Sequence, residues 1–153
     1  MKDRSEWRVW LCYATVVAAL TWLSFGSLRF HQLDTHDAES FADHLRIEQD
    51  GSYFFSADKQ QATGRLFADA VKYATFLIFG NDPAVFHLLV VALHMLASLL
   101  LALLVRRMGF AVEWAFSTGL FFLLNVAHFQ AIHHISALDY PLAVACACAA
   151  LIC

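Results

Sequence analysis

The chain has 153 residues, 60% of them hydrophobic and 15% charged, whereas a soluble domain of this size carries about a quarter charged residues. With a mean hydropathy of +0.59, the first expectation is an all-α membrane protein, a helical transmembrane bundle, rather than a soluble globule. A net charge of −3 supplies no basic footprint for nucleic acid, and there is no Lys/Arg-rich run suited to anionic lipid.

The N-terminal segment has a charged head, with Lys2, Arg4 and Arg8, and an apolar body over 9–28. That body exceeds the 7–15 residues of a signal-peptide core, and no small-residue cleavage site follows it. It reads as a retained first span, since a bilayer core of about 30 Å takes about 20 apolar residues as helix. Residues 29–65 form a polar outer loop containing the stretch "LDTHDAESFADHL". Residues 66–80, "LFADAVKYATFLIFG", are apolar but carry Asp69 and Lys72. Phe67, Ala70, Val71, Ala74, Phe76, Leu77 and Ile78 fall on one face with the charges off it, the pattern of an amphipathic helix lying in the membrane interface.

Turn chemistry at Gly80-Asn81-Asp82-Pro83 ends that helix. The second span covers 84–105, with Pro83 in the first turn and Asp82 placed to cap. A third is predicted over 114–132. A fourth begins at Tyr140 and stops after 14 residues at Cys153, about 21 Å of helix. Three full spans and a partial fourth read as the N-terminal part of a longer membrane protein. The four cysteines, Cys12, Cys146, Cys148 and Cys153, lie in apolar runs and read as small packing residues.

Lys and Arg set the orientation. Lys2, Arg4, Arg8, Arg106 and Arg107 crowd short flanks, while Arg29, Arg46, Lys59, Arg65 and Lys72 are spread between the first two spans. Density places the N-terminus and the "RRMG" turn in the cytoplasm. The outer loop and the "HHISALDY" turn then share the non-cytoplasmic side.

Three carboxylates close to the end of the first span, Asp34, Asp37 and Glu39, are the candidate catalytic groups. A carboxylate held at a membrane edge is a candidate general base, and an ordinary solvated acidic loop is the competing reading. His36 and His44 add ligand types to the same stretch, but the spacing fits neither structural zinc nor EF-hand patterns. At the outer end of the third span stand Asn125, His128, His133, His134 and Asp139, polar groups that face a water-filled cavity or bond to backbone. His87 and His94, two helical turns apart, read as interhelical hydrogen-bonding groups. Arg65, where the loop returns to the membrane, is of the kind that grips a phosphate.

The order of these features resembles the start of the GT-C class of integral membrane glycosyltransferases, which use polyprenyl-phosphate sugars, mannosyltransferases among them. Three stretches carry the likeness: "LDTHDAESF", "GRLFADAVKYATFLIFGNDPAVFHLLVVALHMLASLLLALLVRRMG" and "FFLLNVAHFQAIHHISALDYPLA". Leu66 stands where a Pro often follows the Arg, and Ala127 where a Pro often precedes the His. The paired acidic motif is "HDAE", in which Asp37 takes the catalytic place ahead of Asp34.

The resemblance implies sugar transfer from a lipid-phosphate donor to an acceptor of unspecified identity, outside the cytoplasm, by a multi-pass protein of a bacterial inner membrane. It assigns Asp37, Asp34 and Glu39 to catalysis and Arg65, His128, His133, His134 and Asp139 to substrate binding. No cofactor or metal ligand set is defined, although a divalent cation is compatible with the carboxylates. Rival functions are a non-catalytic scaffold, a transporter fragment, or a histidine-box metal oxidase prompted by "HFQAIHH". That His-x4-His-His spacing departs from the HxxHH such oxidases need, and the nearly charge-free mid-spans count against transport.

Overall fold

A computed structural model describes residues 4–30, 35–56, 65–128 and 132–153 of the chain. Among the described residues six α-helices carry the fold: α1 (Arg4–Phe25), α2 (Thr35–Gln49), α3 (Leu66–Phe79), α4 (Pro83–Arg107), α5 (Val112–Leu124) and α6 (Asp139–Ile152). Short 3₁₀ turns at Gly26–Phe30, Gly51–Phe55, Val126–His128 and Ile135–Ala137 join or extend them. Among the described residues there is no strand.

Local chemistry sets the helix limits. Asp82 caps α4 by accepting from the Ala84 amide at 2.9 Å, and Pro83 opens its first turn. Arg106 and Arg107 end it, cations placed where the helix dipole favours them. Gly80, at φ +69°, closes α3 with its amide on the Phe76 carbonyl. In α1 the hydroxyls of Thr15 and Thr21 donate to the carbonyls of Leu11 and Val17, so they enter an apolar setting already satisfied.

Three segments are long and apolar enough to cross a membrane: Glu6–Leu28, Pro83–Arg107 and Ile135–Ile152. The helix predicted over 114–132 is shorter, ending at Leu124. Asn125 turns extended there and its side chain accepts from the Ala127 amide at 2.9 Å, an Asx turn that stops the helix. The 13 residues of α5 rise only about 20 Å. The polar segment expected as a loop over 29–65 contains α2 as a helix. Among its described side chains Asp37 and Ile47 are buried, and Asp37 ties it to the bundle through the Ser136 amide.

α4 is the central element, with α1, α5, α6 and α3 around it. Arg106 reaches Glu6 at 3.4 Å and Arg107 donates to the Ile152 carbonyl. The start of α1 and the ends of α4 and α6 therefore share one end of the bundle. α1 and α5 run antiparallel to α4, and α6 runs parallel to it. The end of α1, the start of α3 and the Ile135–Ala137 turn lie at the opposite end.

The bundle buries several polar groups within a largely apolar core and turns large apolar side chains outward, the inverse of a soluble protein's surface. Thr21, His87, His94, Ser98, Asp69 and Lys72 are buried, while Trp7, Leu23, Ile78, Trp114 and Phe121 are exposed. α3 shows the inversion most clearly. Asp69 and Lys72 face inward and pair at 2.9 Å, with Phe67, Leu77, Ile78 and Phe79 turned out. In water such a coat would drive aggregation; against hydrocarbon it is the stable arrangement, and ionisable groups turn to the bundle interior.

A close crossing lies between α1, α4 and α5. Ser98 Oγ donates to the Gly119 carbonyl at 2.8 Å. Tyr13 donates to the Phe116 carbonyl at 3.3 Å and stacks on the Phe116 ring, centroids 4.0 Å apart. Ala102, Ala115 and Gly119 are the small residues that let the backbones approach.

Candidate functional site

At the end of the bundle opposite the Arg106 turn, three segments distant in sequence meet on the backbone of Ser136. Asp37 stands in the first turn of α2, where a carboxylate is favoured by the helix dipole. Its side chain is buried, and Oδ1 accepts the Ser136 amide at 2.9 Å. The Ser136 carbonyl accepts from Arg65 Nη1 at 3.1 Å, and the same nitrogen lies 3.3 Å from Asp139 Oδ1. Arg65 precedes α3 without capping it through its side chain, and its guanidinium turns to the start of α6.

Beside this junction a cavity of about 870 Å³ opens between α3, α5 and α6, within the size range of small-molecule sites. Arg65 and Asp139 form its charged rim, and Phe67, Phe122, Leu142 and Val144 are among its apolar walls. Deeper in, His94 and His128 line it. His94 Nε2 lies 3.1 Å from the Leu123 carbonyl. A carbonyl only accepts, so Nε2 carries the proton. The Leu123 carbonyl is available because α5 ends one residue later. The rings of His94, Phe122 and His128 group together, with His94–His128 centroids 5.4 Å apart and Phe122–His128 4.5 Å apart.

The predicted site residues divide accordingly. Arg65, Asp139 and His128 line the cavity. Asp37 reaches the same junction from behind Ser136 but is not part of the cavity wall. His133 and His134 are half-buried on the approach to the Ile135–Ala137 turn. Asp34 lies outside the described residues, as do the side chains of His36, Glu39 and His44. Among the described residues, no three His, Cys, Asp or Glu side chains form a group suited to a metal ion.

Sequence reasoning missed His94 and Phe122 as cavity residues. His94 bonds to the Leu123 carbonyl of another helix, the interhelical role the sequence suggests for it. Its meeting with His128 depends on where α5 ends. The Asx signal at Asn125 is the sequence feature that marks that end.

Helix composition and site together define a helical protein with three segments long and apolar enough to cross a membrane, among the described residues, and an amphiphilic cavity at one end. Comparison with protein-family models, curated proteins and solved structures finds no match to this chain.

Proposed function

We propose that this protein is a membrane glycosyltransferase, or the part of one, that moves a sugar from a polyprenyl-phosphate carrier to an acceptor hydroxyl on the non-cytoplasmic side. The observation carrying this reading is the junction at Ser136. It brings the Asp37 carboxylate and the Arg65 guanidinium to the two sides of one residue, at most about 10 Å apart, beside an apolar cavity. In the reaction the acceptor oxygen bonds to the anomeric carbon as the bond from that carbon to the phosphate oxygen breaks. Asp37 takes the acceptor proton as general base, and Arg65 stabilises the charge left on the lipid phosphate. The apolar walls take the carrier's isoprenoid chain.

A second reading is favoured by one observation. Asp37 is 1% exposed, and its bond to Ser136 pins α2 to the bundle, the part it would play in a non-catalytic scaffold. Asp37→Asn separates the two, because an amide oxygen still accepts the Ser136 amide while losing the basicity. Transfer of labelled sugar from a polyprenyl-phosphate donor is to be followed in vesicles containing the full chain. Glycosyl transfer by the wild type, abolished in Asp37→Asn at unchanged thermal stability, is the expected result. A variant that transfers at the wild-type rate removes Asp37 from the chemistry, and a wild type that transfers nothing favours the scaffold.

A further inference from the structure

We propose that Asp139 is a charge-balancing residue at the cavity rim. It occupies Arg65 when no anionic ligand is present, and it cancels the preference that Arg65 alone would give a doubly charged phosphomonoester over a singly charged phosphodiester. The ligand class is an amphiphile with a phosphate head and an apolar tail. The biological identity of that ligand rests on the glycosyltransferase reading; the charge balance is a binding property of the cavity and stands apart from it.

Charge balance is the first ground. Arg65 and Asp139 are 3.3 Å apart and together neutral. Their side chains are 41% and 24% exposed, and an ion pair so open to water is weak and exchangeable. The Ser136 carbonyl holds the same guanidinium nitrogen at 3.1 Å, so Arg65 stays at the rim when the carboxylate gives way. An arriving phosphate must then share Arg65 with a fixed negative charge. Each further unit of negative charge on the ligand, about 5 Å from Asp139, costs about four- to tenfold through Asp139 in a largely aqueous setting, which offsets a gain of similar size from Arg65.

The cavity supplies the second ground. Its rim is charged and its walls are Phe67, Phe122, Leu142 and Val144, so the head and tail of an amphiphile find matching surfaces in one place. A phosphomonoester carries about −1.5 to −2 at neutral pH, whereas a diester carries one charge. If a diester donor is consumed to leave a monoester carrier, the reaction raises the charge at the rim by about one unit. Asp139 then offsets the stronger hold of Arg65 on the product, so that the carrier is not retained at the rim.

Binding to the purified full chain in uncharged detergent, read by native mass spectrometry, tests this. The probes are farnesyl phosphate, its methyl diester, farnesol and inorganic phosphate. At pH 8 the wild type is expected to bind the monoester and the diester within about threefold of one another, and both tighter than farnesol or inorganic phosphate. A monoester preference is expected in Asp139→Asn at pH 8, and it should disappear at pH 5, where the monoester loses its second charge. Asp139→Asn should tighten the monoester about four- to tenfold more than the diester, and Asp139→Glu should keep the wild-type ratio. Arg65→Gln should bring both phosphates down to the level of farnesol. An unchanged ratio in Asp139→Asn overturns the proposal. So does the same shift in Asp139→Glu as in Asn, which would mark a structural role, or wild-type binding of farnesol as tight as that of the phosphates. Absence of sugar transfer would leave the ratios unaffected and would count against the enzymatic reading alone.

Discussion

Gly119→Ala measures how closely the three helices at the centre of the bundle are packed. A Cβ at 119 would collide with the Tyr13 hydroxyl and sit 2.9 Å from the Ser98 carbonyl oxygen and 3.0 Å from the Ala102 Cβ. None of these yields readily. The Ser98 oxygen belongs to helix backbone, and Tyr13 is held by its bond to the Phe116 carbonyl and by stacking on that ring. Overpacking of this kind costs about 1–3 kcal/mol. Separating α4 from α5 also strains the Ser98 bond to the Gly119 carbonyl, adding about 0.6 kcal/mol by the average for such bonds in a membrane. The variant should therefore be less stable by about 2–3 kcal/mol in equilibrium unfolding of the purified full chain in mixed micelles, followed by circular dichroism. Ser117→Ala, on the exposed side of the same helix, should stay within about 0.5 kcal/mol of wild type. Adding Tyr13→Phe removes one of the three obstructions and should recover about 1 kcal/mol. A Gly119→Ala protein as stable as Ser117→Ala would refute the close three-helix crossing.

Two further outcomes follow from charged groups. Lys72→Met should destabilise the protein by about 3 kcal/mol in the same assay, because it leaves the Asp69 carboxylate buried without its 2.9 Å ion-pair partner. The double substitution Asp69→Leu with Lys72→Leu should cost far less, and equal losses for the two proteins would contradict the inward placement of the pair. Asp50 caps the Gly51–Phe55 turn. The Ser52 hydroxyl, then the Ser52 amide, hold its carboxyl below the ordinary carboxylate value. A depressed pKa contributes stability above the unfolded value and loses it as the pH falls through the folded one. Amide exchange over 52–56, corrected for intrinsic rates, should thus accelerate below about pH 4 in wild type, and Asp50→Asn should remove that step. An identical acid response in the variant would count against the cap.

The long apolar helices at 9–28 and 84–105 were legible from length and hydropathy, and the Asp82-Pro83 cap was legible as local chemistry. The opposition between the "RRMG" turn and the "HHISALDY" turn was legible too, since helix direction alternates along the chain. α2 was not, because its sequence is charged and carries no strong apolar stripe. Periodicity separated Asp69 and Lys72 from Phe67, Leu77 and Ile78 in α3. Which of those faces turns inward depends on the surrounding solvent, a property absent from the pattern. Arg65 and Asp139 were each singled out, but their pairing, like that of His94 with His128, joins segments whose approach only the packed bundle determines.

The account depends on α2 and the Ile135–Ala137 turn emerging together from one side of the membrane. Single cysteines at Glu48, Ala137 and Phe110, each in a chain whose four native cysteines are replaced by Ala, can be labelled with an impermeant maleimide in sealed vesicles of known orientation. Glu48→Cys and Ala137→Cys should react from the same face and Phe110→Cys from the other. Labelling of Glu48→Cys and Ala137→Cys from opposite faces would contradict the account.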